Sequence, residues 1–190
     1  MGLVSQPGHA VPTRSPVPDP QPEPVPALRI ERVPYGHPDA QLLVEEVQAE
    51  YVRRYGGRDE TPIDPAEFDP PQGAFFVGYL VTVEGADLPV ATGAWRLRSD
   101  VEALGSRRTA EGKRMYVVGS ARRAGHARTV LAHMERTAAD AGAEVMILET
   151  GAPQPEGIAL YESSGYVRIP GFGHYAWSED NRCFAKRLTR

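Results

Sequence analysis

The sequence predicts an α/β domain: a mixed sheet with helices on both faces. Three observations predict it. Strand-length stretches of alternating or β-branched residues recur along the chain. Between them lie three segments that carry apolar residues near helical spacing, with proline near the start or glycine at the end. The strand-like stretches are joined both by a short turn and through helices, so some sheet neighbours run antiparallel and others parallel. With 190 residues, 41% apolar and 24% charged, one such domain closes around its own core and buries about 70% of the surface its unfolded chain exposes. A single cysteine, Cys183, excludes an internal disulfide framework and a multi-cysteine zinc site. No apolar run approaches the ~20 residues of a membrane span.

The elements follow in order. Residues 1–26 hold eight of the 18 prolines, at every second position from Pro16 to Pro26. Each proline ring removes an amide donor and pushes its predecessor out of the helical region. An extended, disordered, polyproline-like tail is expected there, with the folded domain over 27–190. The tail has no basic start and no apolar stretch, so it does not read as a secretory signal. Ala27 to Val33 alternates and reads as a strand. A helix starts at Pro38 and Asp39, repeats Leu42, Leu43, Val47 and Tyr51, and stops at Gly56. One helical turn is expected around Pro65 to Phe68. Phe75 to Glu84 and Val90 to Leu97, separated by turn residues, form a hairpin. Lys113 to Val118 is a strand. A helix from about Gly125 to Ala141 follows, with Val130, Leu131, Met134 and Ala138 on one face and Gly142 as its stop. Val145 to Leu148 is a short buried strand. Pro155 to Ser164 is a helix ended by Gly165, and Tyr166 to Ile169 and Cys183 to Leu188 are strands.

The chemistry is concentrated where the Lys113 strand hands over to its helix, at Arg122-Arg-Ala-Gly-His-Ala-Arg128. The first amides of a helix lack intrahelical partners and carry partial positive charge. Ala124, Gly125 and Ala127 let a ligand approach that backbone, and Arg122, Arg123 and Arg128 add full charges. Strand, small-residue turn, arginines and helix together point to a phosphate or diphosphate site rather than a solvated basic turn. The spacing is neither that of a Walker A loop nor of a dinucleotide-binding fingerprint.

Arg122-Arg-Ala-Gly125-His-Ala127 resembles the acyl-CoA loop, [Gln/Arg]-x-x-Gly-x-[Gly/Ala], of the GNAT superfamily of N-acetyltransferases, bacterial type. Lys113-Arg-Met-Tyr-Val117 is similar to that family's central strand. Gln154-Pro-Glu-Gly-Ile-Ala-Leu-Tyr161-Glu-Ser-Ser-Gly-Tyr166 is similar to its Asn-x-x-Ala-x-x-Leu-Tyr-x-x-x-Gly-Phe block, preceded by Leu148-Glu-Thr-Gly151. The departures are Arg123, His126, Gln154 and Gly157, where the family more often has glycine, an aliphatic residue, asparagine and alanine. The resemblance covers roughly residues 28–188. It implies a GNAT-like, largely antiparallel mixed sheet of about six or seven strands with a splayed central strand pair.

It also implies an acetyl-CoA-dependent N-acetyltransferase that works by direct transfer in a ternary complex. The implied acceptor is a small primary amine. Backbone groups of Met115 and Val117 would bind pantetheine, and the Val117 N–H would polarise the thioester carbonyl. Arg122, Arg123, Ala124, Gly125, His126, Ala127 and Arg128 would hold the diphosphate, with Gln154 and Tyr161 completing the cofactor site. Tyr161 matches a tyrosine that protonates the leaving thiolate, or else is an aromatic at a helix–sheet contact. Glu111 matches a glutamate base whose carboxyl would be raised toward neutrality by burial. Its alternatives are a water chain or a solvated strand-end charge. His174 and Tyr175 line the acceptor pocket or merely pack.

No metal, nucleic acid or membrane partner is expected. A cytoplasmic enzyme that can pair as a homodimer is expected. A non-catalytic acyl-CoA-sensing domain and a nucleotide-dependent enzyme are the competing readings. Charge fits the first reading: residues 105–136 carry a surplus of six positive charges, suited to a polyphosphate, and residues 39–69 a surplus of six negative charges, suited to a cationic amine.

Overall fold

The computed structural model describes residues 27–82 and 85–189, so the expected proline-rich tail lies outside the described residues. The chain runs β1 (Arg29–Val33), α1 (Pro38–Tyr55), a single helical turn (Pro65–Phe68), β2 (Gly73–Val81), β3 (Asp87–Arg98) and β4 (Thr109–Val117). A short turn of helix at Gly119–Ala121 then leads to α2 (His126–Asp140), β5 (Val145–Gly151), α3 (Pro155–Ser163), β6 (Val167–Ile169) and β7 (Asn181–Arg187). The seven strands form one sheet in the order β1-β2-β3-β4-β5-β7-β6. Every pair is antiparallel except β4 and β5, which run parallel. This is the mixed, largely antiparallel sheet the sequence predicts.

Local chemistry sets the helix ends. The ring of His37 accepts from the Asp39 amide at 3.2 Å, and Pro38 occupies the first turn. Gly56 closes α1 in the left-handed region at φ 78°, its N–H on the Val52 carbonyl, a conformation that a residue with a Cβ disfavours.

Alternation along the strands separates two cores. Ala74, Phe76, Trp95, Ala110, Met146 and Leu148 face α2, whose Val130, Leu131, Met134 and Ala138 pack on them together with Tyr161 of α3. Phe75, Val77 and Ala94 face the other way, under Ala40, Leu43 and Val44 of α1. Each large side chain buried in this way stabilises by roughly 1.5–3 kcal/mol. Further along the α1 face, Val145, Ile147, Cys183 and Ala185 are covered by Ala103 and Phe172 from loops. Among the described residues no helix is long and apolar enough to cross a membrane.

One difference from the sequence expectation matters for the site. β4 begins at Thr109, not Lys113, so Glu111 lies inside the strand, paired with Ile147 of β5 and Arg96 of β3. Thr-Ala-Glu-Gly carries no strand signature of its own. Its extended conformation is imposed by neighbours on both sides.

Candidate active site

The two parallel strands part company. Their ladder runs from Thr109↔Val145 to Gly112↔Leu148 and ends there, while β4 continues to Val117 and β5 to Gly151. A bulge marks the parting: Thr92 pairs with Tyr116 and Ala94 with Lys113, so Arg114 and Met115 oppose Gly93 alone. Arg114 takes φ 54° to make this turn, and a bulge of this kind bends the strand that carries it. The result is an open seam between two central strands.

Backbone groups line that seam. The Val118 N–H bonds to the Val90 carbonyl of β3 at 2.9 Å. Neighbouring residues of an antiparallel strand alternate in the edge they present. The Val117 amide and carbonyl therefore face away from β3, toward the seam. The Val117 carbonyl is engaged by Arg122 Nε at 2.9 Å.

Beyond β4 the chain reaches α2 through Gly125, which caps the helix at φ 84° with no side-chain hydrogen bond to the first amides. A Cβ built on Gly125 or Gly119 meets nothing within 4 Å, so this backbone is open to a ligand. Uncapped amides beside arginines fit a diphosphate. The three arginines differ in their engagement. Arg122 also reaches Glu50 of α1 at 3.3 Å and lies over the Tyr116 ring. Arg128 donates to Ser163 and Ser164 at the end of α3. Arg123, at φ 65°, is exposed. His126 is buried. Ala124 and Ala127 complete the turn.

Tyr161 crosses the seam from α3. Its hydroxyl lies 3.9 Å from the Met115 sulfur, its only hydrogen-bond contact among the described residues. Burial pushes the phenol well above its ordinary value, so it stays protonated. Gln154, the residue before α3, accepts from Thr150 Oγ1 at 2.7 Å. A Cβ at Gly157 would sit 3.3 Å from that hydroxyl, a tight contact that Thr150 would have to yield to.

The expectation for Glu111 requires correction. Glu111 is 1% exposed and sits where β4 and β5 are still paired. Its Oε2 accepts from Arg96 Nε at 2.9 Å and Arg98 Nη1 at 2.5 Å, and Lys113 Nζ lies 3.4 Å from Oε1. Burial alone would raise its carboxyl, but Lys113, Arg96 and Arg98 outweigh burial and hold it below the usual range. The raised carboxylate is instead Glu149, one residue past the last β4–β5 pair. Burial lifts it, the charge of Glu111 lifts it further, and Lys113 only partly offsets this. Its Oε2 accepts from Asn181 Nδ2 at 3.3 Å and its Oε1 lies 3.5 Å from Lys113 Nζ. Glu149 follows directly on the apolar run Val145 to Leu148 and shares the strand face of Val145 and Ile147, but nothing in that run marks its carboxyl as raised.

α1 and the 170–180 loop close this side. Tyr51 is half-buried, and loss of solvation pushes its phenol up to about 12. Tyr55 packs edge-on to it, ring centroids 6.0 Å apart. Tyr175 donates to Asp59 at 3.2 Å and accepts from the Glu60 amide at 2.8 Å, so it fastens the loop to the segment after α1, and His174 packs against it. Asp59 also holds Arg114 at 2.8 Å. Several of the acids of residues 39–69 are paired within the fold: Glu45 with Arg58 and Glu50 with Arg54 inside that segment, and Asp59 with Arg114 and Glu67 with Arg96 outside it. A cavity of about 470 Å³ between β1, β2 and α2, lined by Ile30, Phe76, Trp95 and His133, is remote from these groups.

The sequence matches the family model described as acetyltransferase (GNAT) family over residues 41–166. No curated protein matches it. Similar solved structures include a Klebsiella pneumoniae protein assigned to the acyl-CoA N-acyltransferases, 21% identical at a TM-score of 0.65, covering 85% of this chain and 98% of its own. A GNAT-family acetyltransferase from Staphylococcus aureus is 14% identical at 0.61, covering 86% of this chain and 100% of its own. The Salmonella typhimurium protein yncA, assigned as an acetyltransferase and solved with acetyl-CoA, is 15% identical at 0.58, covering 86% and 95%. At these identities the likeness concerns the fold.

Proposed function

The chain belongs to the acetyltransferase (GNAT) family, and from that premise we propose that it moves the acetyl group of acetyl-CoA directly onto a small cationic primary amine, with both substrates held at once. One observation carries the reading: the seam opened after Gly112 and Leu148 has a buried phenol, Tyr161, on one face and a raised carboxylate, Glu149, on the other. Transfer to an amine requires a proton to leave the ammonium and a proton to reach the thiolate, and these two groups are suited to the two tasks.

The thioester supplies an activated acyl group. The open turn from Arg122 to Arg128 and the outward backbone of Met115 and Val117 would hold its carrier. Glu149 would take the proton of the incoming ammonium, and its negative charge favours a cation. The Val117 N–H would donate to the carbonyl oxygen as negative charge grows there, an effect worth roughly 3–4 kcal/mol. As the C–S bond breaks, Tyr161 would give its proton to the departing sulfur and be reprotonated by the second proton that the nitrogen sheds as the adduct becomes an amide.

The test is thiol release from acetyl-CoA across a panel of polyamines, amino acids and amino sugars, alongside calorimetry with CoA, ATP and NAD. Heat with CoA alone of the three, and thiol release that depends on an amine, are expected. CoA binding without turnover on any amine would instead identify a sensing domain, and no heat with CoA would remove the acyl-CoA reading altogether. Tyr161→Phe is expected to lower kcat about 10²-fold, the low end for a general acid because a thiolate leaves readily, with CoA affinity unchanged. Unchanged kcat would strip Tyr161 of its role.

A further inference from the structure

We propose that Lys113 is a positioning residue for Glu149: its ammonium, fixed by Glu111, sets the charge balance that lets Glu149 ionise and release that charge during the reaction. The proposal rests on the reading of Glu149 as the base.

The geometry divides the labour at Glu111. Arg96 and Arg98 both take its Oε2, and Lys113 faces its Oε1. Residues 111 and 113 lie two apart on β4 and share a face. Lys113, 7% exposed at its side chain, is thereby held 3.5 Å from Glu149 Oε1 on the neighbouring strand. Arg96 is also paired with Glu67, and Arg98 with Asp100 at 2.7 Å. The cluster thus holds three cations, Arg96, Arg98 and Lys113, and three carboxylates, Glu67, Asp100 and Glu111. It is neutral before Glu149 is counted.

An ionised Glu149 is therefore one uncompensated negative charge in a site only 12% exposed at its side chain. Proton uptake by Glu149 restores neutrality. Elements packed against it add no other net charge: Asp59, within reach of Lys113, is matched by Arg114 at 2.8 Å, Tyr51 of α1 stays a neutral phenol, burial raises the Cys183 thiol on β7 and keeps it neutral, Asn181 donates a neutral amide hydrogen, and Gly173 presents only backbone. Lys113 and Glu111 are thus the charges whose removal changes the balance. Without the ammonium, ionising Glu149 leaves two surplus negative charges. Without the Glu111 charge, it leaves none.

Opposite displacements follow. On the pH profile of kcat/KM with one fixed amine, Lys113→Met moves the acid limb to higher pH by about one to two units, and Lys113→Arg, which keeps the charge, leaves it near the original position. Glu111→Gln moves the limb to lower pH by about one unit. Each profile is paired with thermal unfolding to show that the variant is folded. A limb that stays put in Lys113→Met while kcat falls, or one that fails to move down in Glu111→Gln, overturns the proposal. The ¹³C carboxyl titration of Glu149 in the same variants reads the same shift without turnover. Failure of the base reading itself looks different: Glu149→Gln would then retain wild-type rate.

Discussion

Glu149→Gln is expected to lower kcat/KM at neutral pH by about 10²–10⁴-fold, the range for losing a general base. The substitution keeps shape and leaves Asn181 a carbonyl oxygen to donate to. It also removes the one carboxylate in excess of the cluster's cations, so the fold loses little. The loss should shrink as pH rises, because an amine that has shed its own proton in solution no longer needs an acceptor. That alkaline recovery separates a lost base from a damaged binding site, where the deficit persists at every pH. In the wild-type enzyme the acid limb should lie above the ordinary glutamate range: the carboxyl is raised in the folded protein, and the ionised form is the active one. A rate at pH 7 within threefold of wild type would assign the proton to a water chain.

How much of this was legible in the sequence depends on the range of the forces involved. Helix ends at Pro38, Gly56 and Gly142 were legible because proline and glycine act on their own backbone. The open turn at 122–127, with Gly125 in the left-handed region at the start of α2, was legible for the same reason. The start of β4 was not. Thr109 to Gly112 is extended because β3 and β5 flank it, and Glu111 consequently reads as a strand-end charge when it is a buried anchor. Nor was the engagement of Arg122 by Glu50, 72 residues away, or of Arg128 by the end of α3. Charge counts along the chain show where arginines and acids concentrate, not which of them meet. The acidic surplus of residues 39–69 illustrates the point: it suggests an attraction for cations, yet Asp59 and Glu67 are taken by Arg114 and Arg96 from outside that segment. Glu149 escaped notice because its elevation depends on packing by α1 and by the 170–180 loop, which no local pattern encodes.

Gly125→Glu should abolish CoA binding while leaving the protein folded. A residue with a Cβ at φ 84° costs roughly 1–2 kcal/mol, and the added Cβ meets no atom within 4 Å. A carboxylate at a helix N-terminus recovers about 0.3–1 kcal/mol through the helix dipole and the unpaired amides, so the net change in unfolding free energy should stay near 1 kcal/mol. The consequence for an incoming diphosphate is far larger. The new carboxylate would sit where the first amides of α2 are open, and a like charge at ~4 Å opposes binding by about 4 kcal/mol at an effective dielectric of 20. Calorimetry should therefore show affinity weakened at least several-hundred-fold. Arg122 and Arg128 are already tied to α1 and α3, which leaves the exposed Arg123 as the third guanidinium at the turn to offset the intruding charge. Gly125→Ala supplies the control: it carries the backbone strain without the charge, and its loss of affinity should stay within about tenfold. Equal losses in the two variants would mean that backbone conformation governs the turn, and CoA binding by Gly125→Glu at wild-type strength would place the diphosphate elsewhere.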